Sequence, residues 1–209
     1  RAILRGYAKR LAALSRPGDA GVWWLEKELW PWVPAALELA FLRRRPFVLD
    51  LDDAIFHNYD LHRSRAVRSM FGLKIDRLMR AASLVTAGND YLADRARRAG
   101  ARRVEIVPTV IDLERYRPAD TSARAAAVVR IVWIGSPATE DYLRLVERPL
   151  AALATERNVV LRIVGSRIAL QGIDVEHVDW TEAGEVDAIA QSDIGIMPLL
   201  DSPWEQGKC

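Results

Sequence analysis

Cysteine occurs once in the 209 residues, as Cys209, so neither an internal disulfide nor a cysteine-based metal cluster is available. That usage fits a reducing compartment. A strong charge of one sign is also missing. Thirty basic against 28 acidic residues leave a formal +2, which excludes a general polyanion binder and gives no reason to expect a nucleic-acid partner. Long apolar runs are absent too. The nearest candidate, Leu29 to Leu42, contains Glu38 and two prolines and runs into Arg43–Arg45, short of the roughly 18 apolar residues that a spanning helix needs. Lysine is scarce as well, at Lys9, Lys27, Lys74 and Lys208. The other basic residues are arginines, clustered at 43–45 and again among Arg95, Arg97, Arg98, Arg102 and Arg103.

What is present is material for a core. Half the chain is apolar and 28% is charged, the balance of a folded domain with a solvated surface. Apolar runs alternate with helical patterns. Ile3, Leu4, Tyr7, Leu11 and Leu14 share a helical face, and Pro31 is placed to open a helix toward Arg45. Phe47–Leu51 reads as a buried strand, 64–81 as a helix, and Leu84–Thr86 as a strand. Asn89 then caps a helix over 90–99 that Gly100 closes, and Val104–Val107 is the next strand. Residues 112–127 interrupt this rhythm, which restarts with strand Val128–Ile134, the turn Gly135-Ser136-Pro137 and a helix from Thr139 that Pro149 divides. Strands at Val159–Val164 and Val175–Val178, a helix over 182–191 and a strand at Ile194–Met197 follow. Strand, crossover, strand predicts parallel sheets with helices on both faces. The expected domains are 1–115, a linker over 116–127, and 128–209 as an incomplete second unit. The chain is expected to be a fragment of a longer protein, inactive by itself.

Ligands of open parallel sheets gather at the carboxyl ends of the strands. Four segments qualify: Asp50–Asp53, Thr86–Asn89, Gly135–Pro137 and Pro198–Lys208. Three carboxylates at one strand end repel one another and need a cation, a proton or donors. One reading of Asp50-Leu51-Asp52-Asp53 is the first motif of a haloacid-dehalogenase-like, Mg²⁺-dependent phosphohydrolase, with Asp50 as nucleophile, Asp52 as general acid and Leu84–Gly88 as the second motif. Ala54, however, stands where that motif has Thr. A plain turn cap by Asp52 or Asp53 is the alternative. His57, Asp60 and His62 invite a metal reading at loose spacing. The dense tryptophans Trp23, Trp24, Trp30 and Trp32 suit either core packing or an interfacial, sugar-stacking surface.

The order of motifs along the chain resembles the family 4 glycosyltransferases of the two-lobed GT-B type. Ala81–Leu92 resembles that family's A-D-x-V-x-x-x-S-x-x-L stretch. Val104–Tyr116 resembles V-x-V-I-P-N-G-V-D-x-x-x-F, with Thr109-Val110 in place of Asn-Gly. Ile131–Ser136, Leu161–Gly165 and Ala190–Leu199 resemble the strand-and-glycine turn, L-x-I-V-G and A-D-I-x-L-x-P stretches of the donor lobe. The resemblance implies an α/β protein of two Rossmann-like lobes and a hexosyltransferase-type enzyme. It would move a sugar from a nucleotide-sugar donor to a saccharide, lipid-linked or other small acceptor, with retention and without a metal or other cofactor. It implies Asp52 and Asp53 as catalytic residues, Gly135, Ser136, Glu205 and Lys208 at the donor, and Asn89 and His57 on the acceptor side. A cytoplasmic location is implied, with peripheral contact at the inner face of the membrane as a further partner. The same fold without a completed site would be a non-catalytic binding lobe.

Overall fold

A computed structural model of the chain describes residues 2–15, 21–43, 45–118 and 128–209. They form two compact units, 1–110 together with 201–209, and 111–200. The first break falls near the expected boundary, whereas the last nine residues fold onto the first unit instead of continuing the second. Residues 119–127 of the expected linker lie outside the described residues.

In the first unit the elements are α1 (Ala2–Ser15), β1 (Trp23–Glu26), α2 (Ala35–Leu42), β2 (Phe47–Leu51), α3 (His57–Asp60), α4 (Arg65–Phe71), α5 (Lys74–Ala81), β3 (Leu84–Ala87), α6 (Asp90–Arg98) and β4 (Val104–Ile106). The strands pair in parallel in the order β1-β2-β3-β4. Alternation along β2 explains its two faces. Phe47, Leu49 and Leu51 are buried in the core with Val85 and Ala87, while Asp50 points the other way, in register with Thr86. Helices α2, α5 and α6 pack side by side, α5 burying Ile75, Leu78 and Met79 and α6 burying Leu92, Ala93 and Ala96. Spacings of i, i+3, i+4 in α5 and i, i+1, i+4 in α6 put three apolar side chains on one helical stripe. Truncating a side chain as enclosed as Leu49 or Leu78 would cost about 2–5 kcal/mol.

Two helices differ from their sequence reading. The expected helix over 64–81 breaks at Gly72-Leu73. Its first part, α4, buries nothing, whereas α5 buries four residues and begins with Lys74 turned inward. The helix expected from Pro31 starts at Ala35, with Pro34 at its cap, because residues 28–33 are held as a loop by buried polar contacts.

The second unit contains β5 (Val129–Ile134), a 3₁₀ turn (Glu140–Leu145), α7 (Glu147–Glu156), β6 (Val159–Val164), β7 (Asp174–Val178), α8 (Glu182–Ala190) and β8 (Ile194–Gly195). Its parallel order is β7-β6-β5-β8. The chain winds outward from β5 to β7 and then returns to the other side of β5. Right-handed crossovers therefore place the linking helices on opposite faces. Leu143 and Leu150 cluster with Ile131, Trp133, Leu161 and Ile163, whereas Ala188 of α8 clusters with Val132 and Val164. Pro149 sits in the first turn of α7, where a missing N–H is tolerated, after the 3₁₀ turn has already divided the expected helix.

Candidate functional site

The carboxylates at the end of β2 do separate jobs. Asp50 is fixed on the sheet face, Oδ1 accepting from the Thr86 hydroxyl at 2.6 Å and Oδ2 from the Trp24 indole N–H at 3.2 Å. Asp52 and Asp53 share Lys27, whose Nζ is 3.1 Å from each. Asp53 receives a second cation, Lys208, at 2.7 Å. Burial pushes the Asp53 carboxyl up, but the hydrogen bonds from Lys208 and Lys27 outweigh it and hold it below the usual carboxylate range. Burial likewise works to lower Lys27, and its bonds to Asp53 and Asp52 prevail and raise it. Asp53 is thus a charge anchor with both oxygens engaged, while the side chain of Asp52 is 50% exposed and touches Lys27 through one oxygen.

Lys27 was not picked out by sequence reasoning. It lies one residue past β1 and adopts φ +63°, a left-handed conformation that is uncommon for a side chain of this size. The following loop is clamped by a buried network. Lys74 Nζ lies 2.5 Å from Glu28, 2.7 Å from Glu38 and 2.7 Å from the Trp30 carbonyl, with both Lys74 and Glu38 at 1% side-chain exposure or less. Glu38 also accepts the backbone N–H groups of Leu29 and Trp30, and the Tyr59 hydroxyl donates to Glu28. A network in which each ion has such partners rigidifies what it touches. Here it fixes the loop that presents Lys27. A cavity of about 570 Å³ lies alongside, lined by Trp24, Lys27, Trp32 and Asn58, with both indoles more than half exposed.

Asn89 caps α6, its Oδ1 accepting from Leu92 N at 3.0 Å, and its Nδ2 donates to the carbonyls of Gln206 and Lys208. The tail holding those carbonyls is seated on the first unit through Gly207. A Cβ there would lie 2.6 Å from Ala54 N, so only glycine allows the approach. Glu205 is buried in the same tail and bonds the Ser202 hydroxyl. Glu205 and Lys208, read from sequence as donor contacts of the second unit, therefore belong to the first, because Asp53, Asn89 and Ala54 together bind the tail. His57 stands apart from the carboxylates: its ring nitrogens lie 2.7 Å from Asp60 Oδ1 and 2.7 Å from the Tyr91 hydroxyl. Asp60 in turn pairs with Arg95. No group of three or more His, Cys, Asp and Glu side chains among the described residues is arranged to hold a metal ion.

In the second unit, Gly135 follows β5 at the point where strand order reverses, the usual position of a ligand crevice. Gly165, at φ +87°, packs against it so closely that a Cβ would lie 2.2 Å from the Gly135 carbonyl. The amide groups of this turn are engaged locally, however. The Gly135 N–H is used by the Val164 carbonyl, the Ser136 N–H meets the Thr139 hydroxyl, and the next element is a 3₁₀ turn opening with Glu140 and Asp141. Ser136 itself is exposed. Beside this edge is a cavity of about 590 Å³ lined by Pro137, Glu140, Gly165, Ser166 and Trp180. Trp180 offers its exposed ring, with the indole N–H fixed on Glu185 at 2.7 Å.

Solved structures with this arrangement decide the fold. A trehalose-6-phosphate synthase, studied for glycosyl transfer with retention, superposes with a TM-score of 0.60 at 12% identity over 92% of this chain and 56% of its own. Sucrose-phosphate synthase from Thermosynechococcus elongatus gives 0.60 at 12% identity, over 88% of this chain and 52% of its own. The α,α-trehalose 6-phosphate synthase of Burkholderia multivorans gives 0.56 at 14% identity, over 99% and 59%. The fold is GT-B. The chain spans between half and three fifths of those GT-B proteins. No protein-family model and no curated protein matches it. Within the GT-B frame the first unit supplies the lysine-clamped carboxylates and the second the glycine-lined edge with Trp180.

Proposed function

We propose that the chain is the acceptor-side unit and the first part of the donor-binding unit of a family 4-like glycosyltransferase, which moves a hexosyl group from a nucleotide sugar to a saccharide, lipid-linked or other small hydroxyl acceptor. The likeness of nearly the whole chain to three sugar-transferring synthases carries this reading. The acceptor oxygen bonds to the anomeric carbon as the bond from that carbon to the diphosphate breaks, the electron pair leaving with the diphosphate. Retention follows when the hydroxyl approaches from the face the diphosphate leaves. Asp52, with one oxygen pinned by Lys27 and the other open, takes the hydroxyl proton, and Asp53 holds the lysines in place. The Trp180 ring provides a platform for the nucleobase. No metal is required on this reading. A phosphohydrolase would instead need Asp50 as a free nucleophile, and both of its oxygens accept hydrogen bonds from Thr86 and Trp24.

The test is calorimetric titration of the full protein with UDP, GDP and ADP in EDTA, followed by transfer assays on Asp52→Ala. Metal-free nucleotide binding, with transfer abolished and binding retained in the variant, is the expected result. Wild-type turnover in Asp52→Ala would remove its catalytic role. Nucleotide silence with Mg²⁺-dependent phosphatase activity would replace the reading by the phosphohydrolase, and silence in both assays by a binding lobe.

A further inference from the structure

The cavity beside Lys27, of about 570 Å³, has the volume of sites that enclose small molecules. Its two indoles are held in fixed places. The Trp24 N–H is tied to Asp50 Oδ2, and the Trp32 ring meets those of Tyr59, His62 and Phe71 at steep angles, with centroids 5.1, 5.8 and 6.2 Å away. Yet Trp24 is 64% and Trp32 52% exposed. An indole whose only task is packing buries most of its surface.

Backbone strain points to the same place. Lys27 and Trp32, at φ +63° and +62°, are the only non-glycine residues in the left-handed region among the described residues, and both line this cavity. Such conformations persist where the surroundings over-determine them, and they gather at functional sites. Here the surroundings are the buried ion network. The Tyr59 hydroxyl accepts the Trp32 N–H at 3.2 Å and donates to Glu28, the acid that Lys74 holds.

Charge and hydrogen-bonding capacity narrow the ligand. Around the cavity Arg10 and Lys27 are balanced by Glu26 and Glu28, two cations against two anions, which gives an anionic ligand no net attraction. Glu26 and Asn58 are exposed, with no side-chain hydrogen bond to the described residues. Lys27 directs its ammonium at Asp52 and Asp53, which leaves one of its three donors over. A sugar ring matches this set, having an apolar C–H face for an indole and a rim of hydroxyls for the polar groups. A fatty chain would desolvate Glu26 and Asn58 without pairing them, and a phosphate would find no surplus cation. We propose that this cavity is the acceptor subsite and that the acceptor is a neutral saccharide, stacked on Trp24 and Trp32 and hydrogen-bonded by Asn58 and Glu26, with Lys27 joining it to Asp52. The proposal rests on the transferase reading above and narrows its acceptor to one class.

The test presents the full protein, without donor, to an array of neutral, phosphorylated and lipid-linked glycans, and titrates the free neutral hits by calorimetry. Binding of free neutral glycans is expected. Trp32→Ala should weaken it about tenfold and Asn58→Ala about threefold, whereas Trp32→Phe should keep most of it. Asn58 is exposed and unpartnered, so its variant folds as the native chain does, and thermal unfolding checks Trp32→Ala. Binding of UDP, GDP or ADP should be unchanged in all three variants. Binding of phosphorylated or lipid-linked glycans alone, no glycan binding by a protein that binds nucleotide, or glycan affinity unaffected by Trp32→Ala and Asn58→Ala would each overturn the proposal. Glycan binding weakened by those variants in a protein that binds no nucleotide would keep the saccharide site and overturn the transferase reading, and with it the role as acceptor.

Discussion

Replacing Lys74 by Met tests what holds the loop behind Lys27. In the native chain its ammonium sits against Glu28 and Glu38 and the Trp30 carbonyl, with 1% of the side chain exposed. Met fills similar volume but leaves two carboxylates enclosed without their cation. Removing one partner of a buried pair costs about 3–5 kcal/mol. Set against the roughly 5–15 kcal/mol total stability of a domain, that is a large fraction. Because the chain has two units, a single unfolding midpoint is a poor readout. Amide hydrogen exchange at Leu29 and Trp30, whose N–H groups bond Glu38, reports the network directly, and exchange at Leu49 and Val85 reports the unit. Burial raises the Glu38 carboxyl, with Lys74 and the two backbone donors opposing it. An acid whose folded pKa is raised binds its proton more readily when native, so stability falls as pH rises through that pKa. Without Lys74 the rise is larger. The penalty should therefore be greatest at neutral pH and shrink as pH falls toward the ordinary carboxylate range. Adding Glu38→Gln should recover about 1–3 kcal/mol as coupling between the sites. A loss below about 1 kcal/mol with no coupling would refute the clamp.

Two further outcomes follow from other contacts. Asp53 is held below the usual carboxylate range against its own burial, so its contribution to stability is present above that range and is lost as pH falls below it. Carboxyl NMR titration should show the Asp53 pKa rising in Lys208→Gln, and an unchanged value would mean the ion pair is idle. Gly165→Ala adds a side chain at φ +87° and 2.2 Å from the Gly135 carbonyl. It should destabilise the second unit by more than about 1 kcal/mol, read by hydrogen exchange in β5 and β6, and unchanged exchange would contradict the close packing.

The periodicity of the chain gave the parallel sheets, and the carboxyl-end rule located Asp50–Asp53 and Asn89, because both depend on neighbouring residues. Lys27 carries no such signal, because Val22–Leu25 is too short an apolar run to mark the strand whose end it follows. The Lys74–Glu38 pair was hidden for another reason. A buried lysine and a buried glutamate look like any surface charges until the fold encloses them, and only the break at Gly72-Leu73 aims Lys74 inward. The tail was misplaced because a bond from Lys208 to Asp53 spans most of the sequence and leaves no local pattern. The amide pattern after Gly135 was likewise invisible, since a glycine turn has the same letters whether its N–H groups are free or spent in the sheet.

The first unit is built from two stretches of chain, with residues 111–200 between them. Synthesis delivers β1 to β4 first, and N-terminal domains generally begin to fold as they emerge. At that stage Asp52 and Asp53 have Lys27 but not Lys208, and the surface around Ala54 and Asn89 is uncovered. Seating of Gly207 must wait for synthesis of residues 111–200 and for closure of a long loop, the slow kind of contact in folding. The carboxylate site thus acquires its second cation only after residues 111–200 have been made, and a ribosome stalled before residue 201 would carry a folded sheet with an incompletely neutralised acid cluster.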